Sequence, residues 1–242
     1  MKNNLYLICL IVLTLFIFSF TSCNNSDAVS GNGKVIRKEI TIKGFSKLEI
    51  GGPYFVFVKQ GANPQMVIEC DENILELIDA EVKNNELKIS SKKSLLSNKG
   101  IYIYLTVTNL EQIESSGNTR INGTDKLNFD KLKIDLSGNS IFTMNVNCVE
   151  LGIECSGNSK LSLSGIVPEA DIEASGSSDV NTNDMIIEKL KVETSGDAHA
   201  LVNVFTKLEI KASGSSKVEY KSVSMLEVIQ NVSGTATVNK IY

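Results

Sequence analysis

A tripeptide ending in Ser-Gly recurs seven times in the second half of this chain, and this repeat limits the fold more than any other feature. The repeat glycines are Gly117, Gly138, Gly157, Gly176, Gly196, Gly214 and Gly234. Successive glycines lie 18 to 21 residues apart. A nearly constant period of this length predicts a solenoid, in which each repeat is one supersecondary unit stacked on its neighbours.

Alignment of the repeats on their glycines shows apolar residues at fixed positions. The residues four before each glycine are Ile113, Ile134, Ile153, Ile172, Val192 and Ile210, with Gln230 in the last repeat. Apolar residues also prevail six before and four after the glycine. Positions two apart lie on one side of a β-strand. Each repeat therefore predicts a strand, a Ser-Gly corner, a second strand and a polar turn such as Gly123-Thr124-Asp125.

No helix-length amphipathic segment separates these strands, so equivalent strands are expected to pair in parallel without helical crossovers. The consistent fold is all-β: a single-stranded parallel β-helix with coils about 4.8 Å apart. Each coil takes about 20 residues, and residues 111–242 supply seven Ser-Gly repeats. We expect a right-handed solenoid by analogy with parallel crossovers. The glycines are predicted as corners, because a small residue follows each of them two places later.

Residues 34–110 alternate less regularly and predict degenerate coils with an irregular N-terminal cap. Residues 45–58 resemble a first coil with a Gly-Gly corner. Further along, we expect a short helical turn with Asp71 as its N-cap and a hairpin around Asn84-Asn85. A cap is required because an open solenoid end exposes unpaired strand edges.

The first 22 residues have the features of a targeting segment. Lys2 precedes an apolar run from Leu5 to Phe20, which is short for a bilayer span and ends just before Cys23. Small residues directly before a cysteine are typical of bacterial lipoprotein signals, so residues 1–22 are predicted as a signal peptide and Cys23 as the lipidated residue. The alternatives are an ordinary secretory signal or an uncleaved anchor. Residues 23–33 are predicted as a flexible tether from the membrane.

Composition excludes several classes of function. The net charge is −4, and −5 without residues 1–22, which argues against nucleic acid as a partner. A single histidine, His199, rules out mechanisms that need two imidazoles in one chain. We expect no metal site and no cofactor. Cys70, Cys148 and Cys155 are an odd number, so at least one free thiol is expected, and Cys155 aligns with small apolar residues of other repeats.

An acidic column lies three residues before the repeat glycines. It comprises Glu114, Asp135, Glu154, Glu173 and Glu193, followed by Lys211 and Asn231. On adjacent coils these carboxylates would point outward one above another, and like charges so placed repel. One interpretation is a solvated face neutralised by neighbours such as Lys133 and Lys191. The other is a weak strip for divalent cations or a cationic ligand.

The serines that directly precede the glycines form a second column of seven equivalent residues, whereas the chain has a single imidazole. A nucleophilic serine needs a base within hydrogen-bond reach. Ser195 lies four residues from His199, but a predicted corner separates them. We therefore expect a structural hydroxyl ladder, with His199 at an exposed polar position.

Several segments together resemble a known family. They are Ile42-Lys-Gly44-Phe45-x-x-Leu-x-Ile50, Val67-x-x-x-Asp71-Glu-Asn73-Ile, Leu87-x-Ile89 and the string of Ser-Gly corners. Over residues 38–239 the chain resembles the putative auto-transporter adhesin head domain family, which is common in exported lipoproteins of Bacteroides-like bacteria. The resemblance implies a parallel β-solenoid with an extracytoplasmic, adhesin-like role, and it carries no catalytic residues.

Three functions are compatible with these observations. The first is a non-enzymatic, envelope-anchored outer-membrane lipoprotein that binds a protein or glycan along a solenoid face, with the membrane as its second partner through Cys23. The second is a carbohydrate-active β-helix enzyme, although glycosidases need two carboxylates in different environments and a uniform column offers none. The third is a structural protein of envelope assembly.

Overall fold

Alternation of apolar and polar residues continues through almost the whole described chain, and the chain is accordingly built of strands. The computed structural model describes residues 28–222 and 226–241. The predicted signal peptide and Cys23 lie outside the described residues. About two-thirds of the chain is strand, arranged as a parallel β-solenoid of about six turns. This confirms the predicted fold class.

Residues 28–110, the described part of the chain before the repeats, form nine strands and one short helix. They are β1 Val29–Ser30, β2 Val35–Ile40, β3 Lys47–Gly51, β4 Phe55–Gln60, β5 Gln65–Asp71, α1 Glu72–Leu75, β6 Ile78–Lys83, β7 Glu86–Ser91, β8 Leu95–Leu96 and β9 Tyr102–Val107. The repeats follow as β10 Gln112–Ser116, β11 Arg120–Asn128, β12 Lys131–Leu136, β13 Ile141–Asn147, β14 Glu150–Cys155, β15 Lys160–Ala174, β16 Asp179–Thr194, β17 His199–Ala212, β18 Lys217–Lys221, β19 Glu227–Val232 and β20 Thr237–Lys240.

Each coil has one strand before its glycine corner and one after it, so the coils stack into two faces. Face A holds the strands before the corners, and β10, β12, β14 and the second half of β15 pair there in parallel. Face B holds the strands after the corners, including β11, β13 and the first half of β15. The long strands β15 to β17 run from face B of one coil directly into face A of the next.

The glycine corners are stacked so tightly that a side chain on one of them would collide with the corner before it. Gly138, Gly157, Gly176, Gly196, Gly214 and Gly234 have φ between +67° and +69°. A Cβ on any of them would lie 2.8–3.0 Å from the carbonyl oxygen or amide nitrogen of the preceding corner glycine. The carbonyl oxygen of a corner glycine also accepts a hydrogen bond of 2.8 Å from the next coil. The donor is the N–H of the residue that follows the corner glycine of that coil, as in Ser177 N to Gly157 O. The predicted corners are therefore confirmed.

The apolar rows predicted from the repeats form one continuous core between the faces. Ile113, Ile134, Ile153 and Ile172 are all at most 1% exposed. In the first six repeats the row four residues after the glycines is equally buried, and so are the small residues two after them, whereas Val238 and Ala236 of the last repeat are half-buried. Burying one such aliphatic side chain stabilises the fold by about 1.5–3 kcal/mol. Cys155, at 2% exposure, is a core residue as expected.

The polar turn predicted at Gly123-Thr124-Asp125 is instead part of a strand. β11 runs through these residues and shows a register shift against β13 between Asn122 and Lys126. The extra residues are absorbed as an irregularity in the ladder, so the backbone keeps its pairing on both sides. The prediction of a turn there was wrong.

In the cap, the order of the coils in space differs from the order of their strands in the sequence. β3 pairs in parallel with β7 on one side and with β10 on the other. β4 is likewise flanked by β9 and β11. The coil made by β7 and β9 therefore lies outside the coil made earlier in the chain by β3 and β4. Beyond it the solenoid ends in antiparallel strands. β6 pairs with β7, β5 pairs with β9, and β2 pairs with the other edge of β5.

The predicted hairpin is confirmed, because β6 and β7 pair antiparallel around Asn84 and Asn85. Their φ angles of 50° and 65° are those of a two-residue turn for which asparagine is well suited. The helical turn is confirmed as α1, and Asp71 lies at its N-cap position as predicted. Its side chain makes no cap bond; the carboxylate accepts from Gly33 N at 2.7 Å and Ser97 Oγ at 2.6 Å.

These contacts also alter the predicted tether. Val29–Ser30 pairs in parallel with Leu95–Leu96, and Gly33 is held by Asp71. Part of the segment predicted to be flexible is thus joined to the cap by backbone hydrogen bonds. Among the described residues no helix has both the length and the apolar character needed to cross a membrane.

Candidate functional site

The acidic column predicted from the repeats lies on the outer side of face A. Strand pairing places Glu114 beside Asp135, Asp135 beside Glu154, Glu154 beside Glu173 and Glu173 beside Glu193. Their neighbours in sequence, such as Ile134 and Leu136, point into the core, which fixes the outward direction of the carboxylates. Adjacent members of the column are about one strand spacing, 4.8 Å, apart.

Lysines neutralise part of this column. Lys133 Nζ lies 3.2 Å from Asp135 and 2.8 Å from Glu154. The hydrogen bond to Glu154, and then that to Asp135, raises the pKa of Lys133. At the far end Glu193 contacts both Lys211, at 2.8 Å, and Lys191, at 3.0 Å.

These two lysines lower the pKa of Glu193, the hydrogen bond from Lys211 contributing most. Glu114 and Glu173 differ from the other members. Gln112 Nε2 donates to Glu114 at 2.7 Å, but within the described chain no lysine forms an ion pair with Glu114 or Glu173. The negative charge at these two of the five predicted members is therefore only partly compensated: it acts on Lys88 and Lys191, whose pKa values are raised mainly by Glu49 and Glu193.

The column extends further than the repeats indicate. Glu49 on β3 pairs with Glu114, and beyond it Lys88 contacts Glu49 at 2.6 Å. Glu49 was missed by the sequence analysis, although it stands three residues before Gly52, the corner of the first coil. Lys88 had no such signal, because its coil is inserted out of order. A lysine thus closes the carboxylate row at each end.

A shallow groove of about 770 Å³ follows the column along the glycine corners. Its lining comes from the carboxylates and from the serines that precede the glycines. Ser137 Oγ and Ser156 Oγ each donate, at 3.4 Å, to a carbonyl of the coil before. These hydroxyls therefore form a structural ladder along the groove, as expected.

His199 is not available as a base for these serines. Its Nδ1 lies 3.0 Å from Asp179 and its Nε2 3.0 Å from Glu219, both on face B. It occupies the predicted outward position but is half-buried by these neighbours. Lys217 and, to a lesser extent, His199 lower the pKa of Glu219.

The remaining polar surface of face A has a different character. A second groove of about 800 Å³ contains lysines and carboxylates that alternate across strands. Lys131 contacts Glu150 at 2.6 Å, and Lys189 contacts Glu169 at 3.1 Å. The lining of this neighbouring groove has seven carboxylates and five lysines, whereas the corner groove has six carboxylates and one lysine, so the excess of carboxylate is larger in the corner groove.

Thiols and metal-binding groups add no second site within the described ranges. Cys70, Cys148 and Cys155 are free and buried, and burial raises their pKa to about 11, 11 and 12. No three His, Cys, Asp or Glu side chains of residues 28–222 and 226–241 converge in a way that would hold a metal ion.

The fold and the corner groove define a class: an all-β solenoid that presents a long, shallow, charged strip. Within this class the chain belongs to the family described as putative auto-transporter adhesin, head GIN domain, whose model matches residues 44–223. The family expected from the sequence segments is thereby confirmed. A comparison with curated proteins finds no match.

Solved structures share the fold. A putative adhesin from Bacteroides fragilis has a TM-score of 0.82 at 21% identity, covering 88% of this chain and 100% of its own. A putative adhesin from Parabacteroides merdae has a TM-score of 0.70 at 20% identity, covering 90% and 100%. A putative lipid binding protein from Parabacteroides distasonis has a TM-score of 0.67 at 17% identity, covering 89% and 100%.

Proposed function

We propose that this protein is a non-enzymatic, adhesin-like binding module anchored to the cell envelope through lipid on Cys23. We further propose that the corner groove is its ligand-binding strip. The observation that carries the proposal is the groove itself, about 770 Å³ in volume and lined by one carboxylate and one hydroxyl from coil after coil. Such a strip suits an extended ligand better than a small molecule, because equivalent groups repeat at every strand.

The charge of the groove sets the chemical class of the ligand. Glu114 and Glu173 form no ion pair with a lysine in the described chain, and the groove beside them, with seven carboxylates and five lysines, has a smaller excess of negative charge. We therefore assign a ligand that carries spaced positive charges, such as a lysine-rich extended segment of a partner protein. Exposed charge pairs contribute about 0.2–1 kcal/mol each, so several are needed for useful affinity.

Membership of an adhesin family supports the non-enzymatic part of the proposal. Turnover of a polysaccharide by the purified protein would overturn this part.

The groove is tested with fluorescent decalysine and the chain from residue 24. We expect binding at low salt that weakens as salt is added, because screening acts on exposed charges. The variant Glu114→Gln/Glu173→Gln should lose roughly fivefold in affinity. The matched control is Glu150→Gln/Glu169→Gln, which removes two neutralised carboxylates from the same face. Equal loss in both variants, or no binding by the native chain, would contradict the proposal.

Anchoring is tested separately by intact-mass measurement of the protein extracted from membranes. Lipid on the residue that follows position 22 is expected, and Cys23→Ser should release the protein from the membrane fraction. A chain that begins at Met1, or lacks lipid, would refute anchoring without affecting the groove.

A further inference from the structure

An aromatic cluster lies on the outer side of face B at the cap end of the solenoid. Phe55 stacks on Tyr102 with ring centroids 5.2 Å apart, and Phe57 stacks on Tyr104 at 5.4 Å. The alternating residues of β4 and β9, among them Val56, point into the core, which leaves these four rings on the surface. We call Phe55, Phe57, Tyr102 and Tyr104 the aromatic ladder.

Both arginines of the chain lie on this ladder. The Arg120 guanidinium lies 5.6 Å from the Phe55 centroid, and Arg37 lies 5.0 Å from that of Tyr104. Arg37 also has a carboxylate partner, Glu69, at 3.6 Å. Arg120 has no ion pair in the described part of the chain. A guanidinium stacked on a ring keeps its N–H edge available for an anion.

Two of the four rings have both faces occupied, which limits the kind of ligand that fits. Phe55 has Tyr102 on one face and Arg120 on the other; Tyr104 likewise has Phe57 and Arg37. A sugar ring binds by stacking on an open aromatic face, and Phe55 and Tyr104 offer none. Ring edges and arginine N–H groups are presented instead. Aromatic rings with neighbouring cations are typical of protein surfaces at the headgroup level of a membrane.

The distribution of charge along the chain points in the same direction. Residues 28–110 hold 11 basic and 9 acidic side chains, a net charge of +2. Residues 111–241 hold 12 basic and 18 acidic ones, a net charge of −6. The face around the ladder includes Glu39 and Glu69 as well as Arg37, Arg120 and Lys59, so its balance is only modestly positive. The acidic repeats extend away from it.

Chain geometry brings this face close to the predicted anchor. Val29 is six residues after Cys23, a distance of at most about 20 Å for an extended chain. From Val29 the chain reaches Arg37 on β2, and pairing continues from Arg37 through Glu69, Tyr102 and Phe55 to Arg120. Exposed Val35 and Leu96, at 46% and 59% exposure, belong to the same cap.

We propose that the aromatic ladder with Arg37 and Arg120 is a docking surface for an anionic lipid bilayer, and that it holds the cap against the membrane. The proposal deepens the proposed function and rests on anchoring through Cys23. Arginine edges bind lipid phosphates, the ring edges enter the headgroup region, and the acidic repeats are directed away from the negatively charged surface. The corner groove is thereby presented to the outside.

The test uses a single tryptophan, because the chain contains none. One reporter is Tyr102→Trp in the ladder, at the ring that packs directly against Gly100. The control reporter is Thr237→Trp, in the same outward row of face B but eight strands away, about 38 Å. The chain from residue 23 is coupled through the Cys23 thiol to a maleimide-headgroup lipid. The other thiols are buried, so coupling is selective.

On phosphatidylcholine vesicles that contain phosphatidylglycerol and brominated lipid, we expect quenching of the ladder reporter and not of the control reporter. Arg37→Gln/Arg120→Gln should lower the docking equilibrium about 30-fold, and pure phosphatidylcholine should give little quenching. Equal quenching of both reporters, none at the ladder, or quenching unchanged by the arginine variant would overturn the proposal. The proposal would also be overturned if polygalacturonate, a soluble anionic polysaccharide, changed the fluorescence of the ladder reporter and the vesicles did not.

This outcome is independent of the two tests of the proposed function. The anchor is supplied chemically, so failure to dock cannot arise from absent lipidation in cells. The corner groove is untouched by the arginine substitutions, so decalysine binding should stay unchanged in the arginine variant.

Discussion

Replacing Gly176 by alanine tests the stacked corners most directly. Gly176 has φ +69°, and a Cβ there would lie 2.9 Å from Gly157 O and 3.1 Å from Gly157 N. An L-residue in this conformation costs about 1–2 kcal/mol. The added methyl group also displaces the Gly157 carbonyl, which accepts the Ser177 N–H at 2.8 Å, and weakening that bond costs about 0.5–1.5 kcal/mol.

Alanine also lowers the conformational entropy of the unfolded chain, which offsets about 0.4–1 kcal/mol of this destabilisation. The net expectation for Gly176→Ala is therefore a loss of about 1–2.5 kcal/mol in the free energy of unfolding. Gly33→Ala separates the two causes, because Gly33 has φ +79° but nothing within 4 Å of its would-be Cβ. It should lose only about 0.5–1 kcal/mol.

A third variant, Gly152→Ala, controls for the substitution itself within the repeats. Its Cβ would meet only Lys133 Cγ at 3.6 Å, an ordinary contact, so its stability should be unchanged or slightly higher. Urea unfolding of the chain from residue 24, followed by far-ultraviolet circular dichroism, measures all three. The reasoning is refuted if Gly176→Ala is no more destabilising than Gly33→Ala.

Two further predictions follow from the pKa shifts. Burial raises the pKa of Cys70 and Cys148 to about 11 and of Cys155 to about 12, so all three thiols should stay protonated and unreactive to Ellman's reagent at pH 8. In urea they should all react, and fast reaction of any one in the native chain would contradict its burial. Lys217 lowers the pKa of Glu219, so the stability that Glu219 contributes is present above its unfolded pKa of about 4.3 and is lost as pH falls through the lower folded pKa. Lys217→Met should raise the pKa of Glu219 in a carboxyl NMR titration; an unchanged value would show that Lys217 is not the cause.

Much of the solenoid could be predicted from the sequence because each coil repeats the same pattern of glycine, apolar and polar residues. The spacing of Gly138, Gly157 and Gly176 determines the coil length, and the alternation around them assigns every intervening side chain to core or surface. The acidic column follows from the same alignment. These features depend on neighbours within one period, so a single chain displays them several times.

The cap could not be predicted in the same way, because its contacts are not periodic. Nothing in the segment around Lys88 indicates that its strand inserts beyond β3, and the Lys88–Glu49 pair depends on that order. Asp71 has the sequence context of a helix cap, yet Gly33 and Ser97 bind its carboxylate. Tertiary hydrogen bonds prevailed over a local preference.

The aromatic ladder falls between these cases. The alternations Tyr54-Phe-Val-Phe-Val58 and Ile101-Tyr-Ile-Tyr-Leu105 each place two rings on one side of a strand. Their contact requires β4 and β9 to be neighbours, and 41 residues separate the two strands in sequence. Local patterning therefore predicts two pairs of exposed rings but not their stacking.

The interleaved cap gives the domain a direction of assembly. β3 lies between strands that follow it in the chain, so closing its two edges requires contacts that span 39 and 65 residues. Every later coil needs only a contact about 20 residues away and a finished edge to build upon. Synthesis from the N-terminus thus completes the entropically costly closure first and leaves a template for the rest. By the same logic, whole coils can be gained or lost beyond Gly117 over evolution, whereas the cap can change only as a unit.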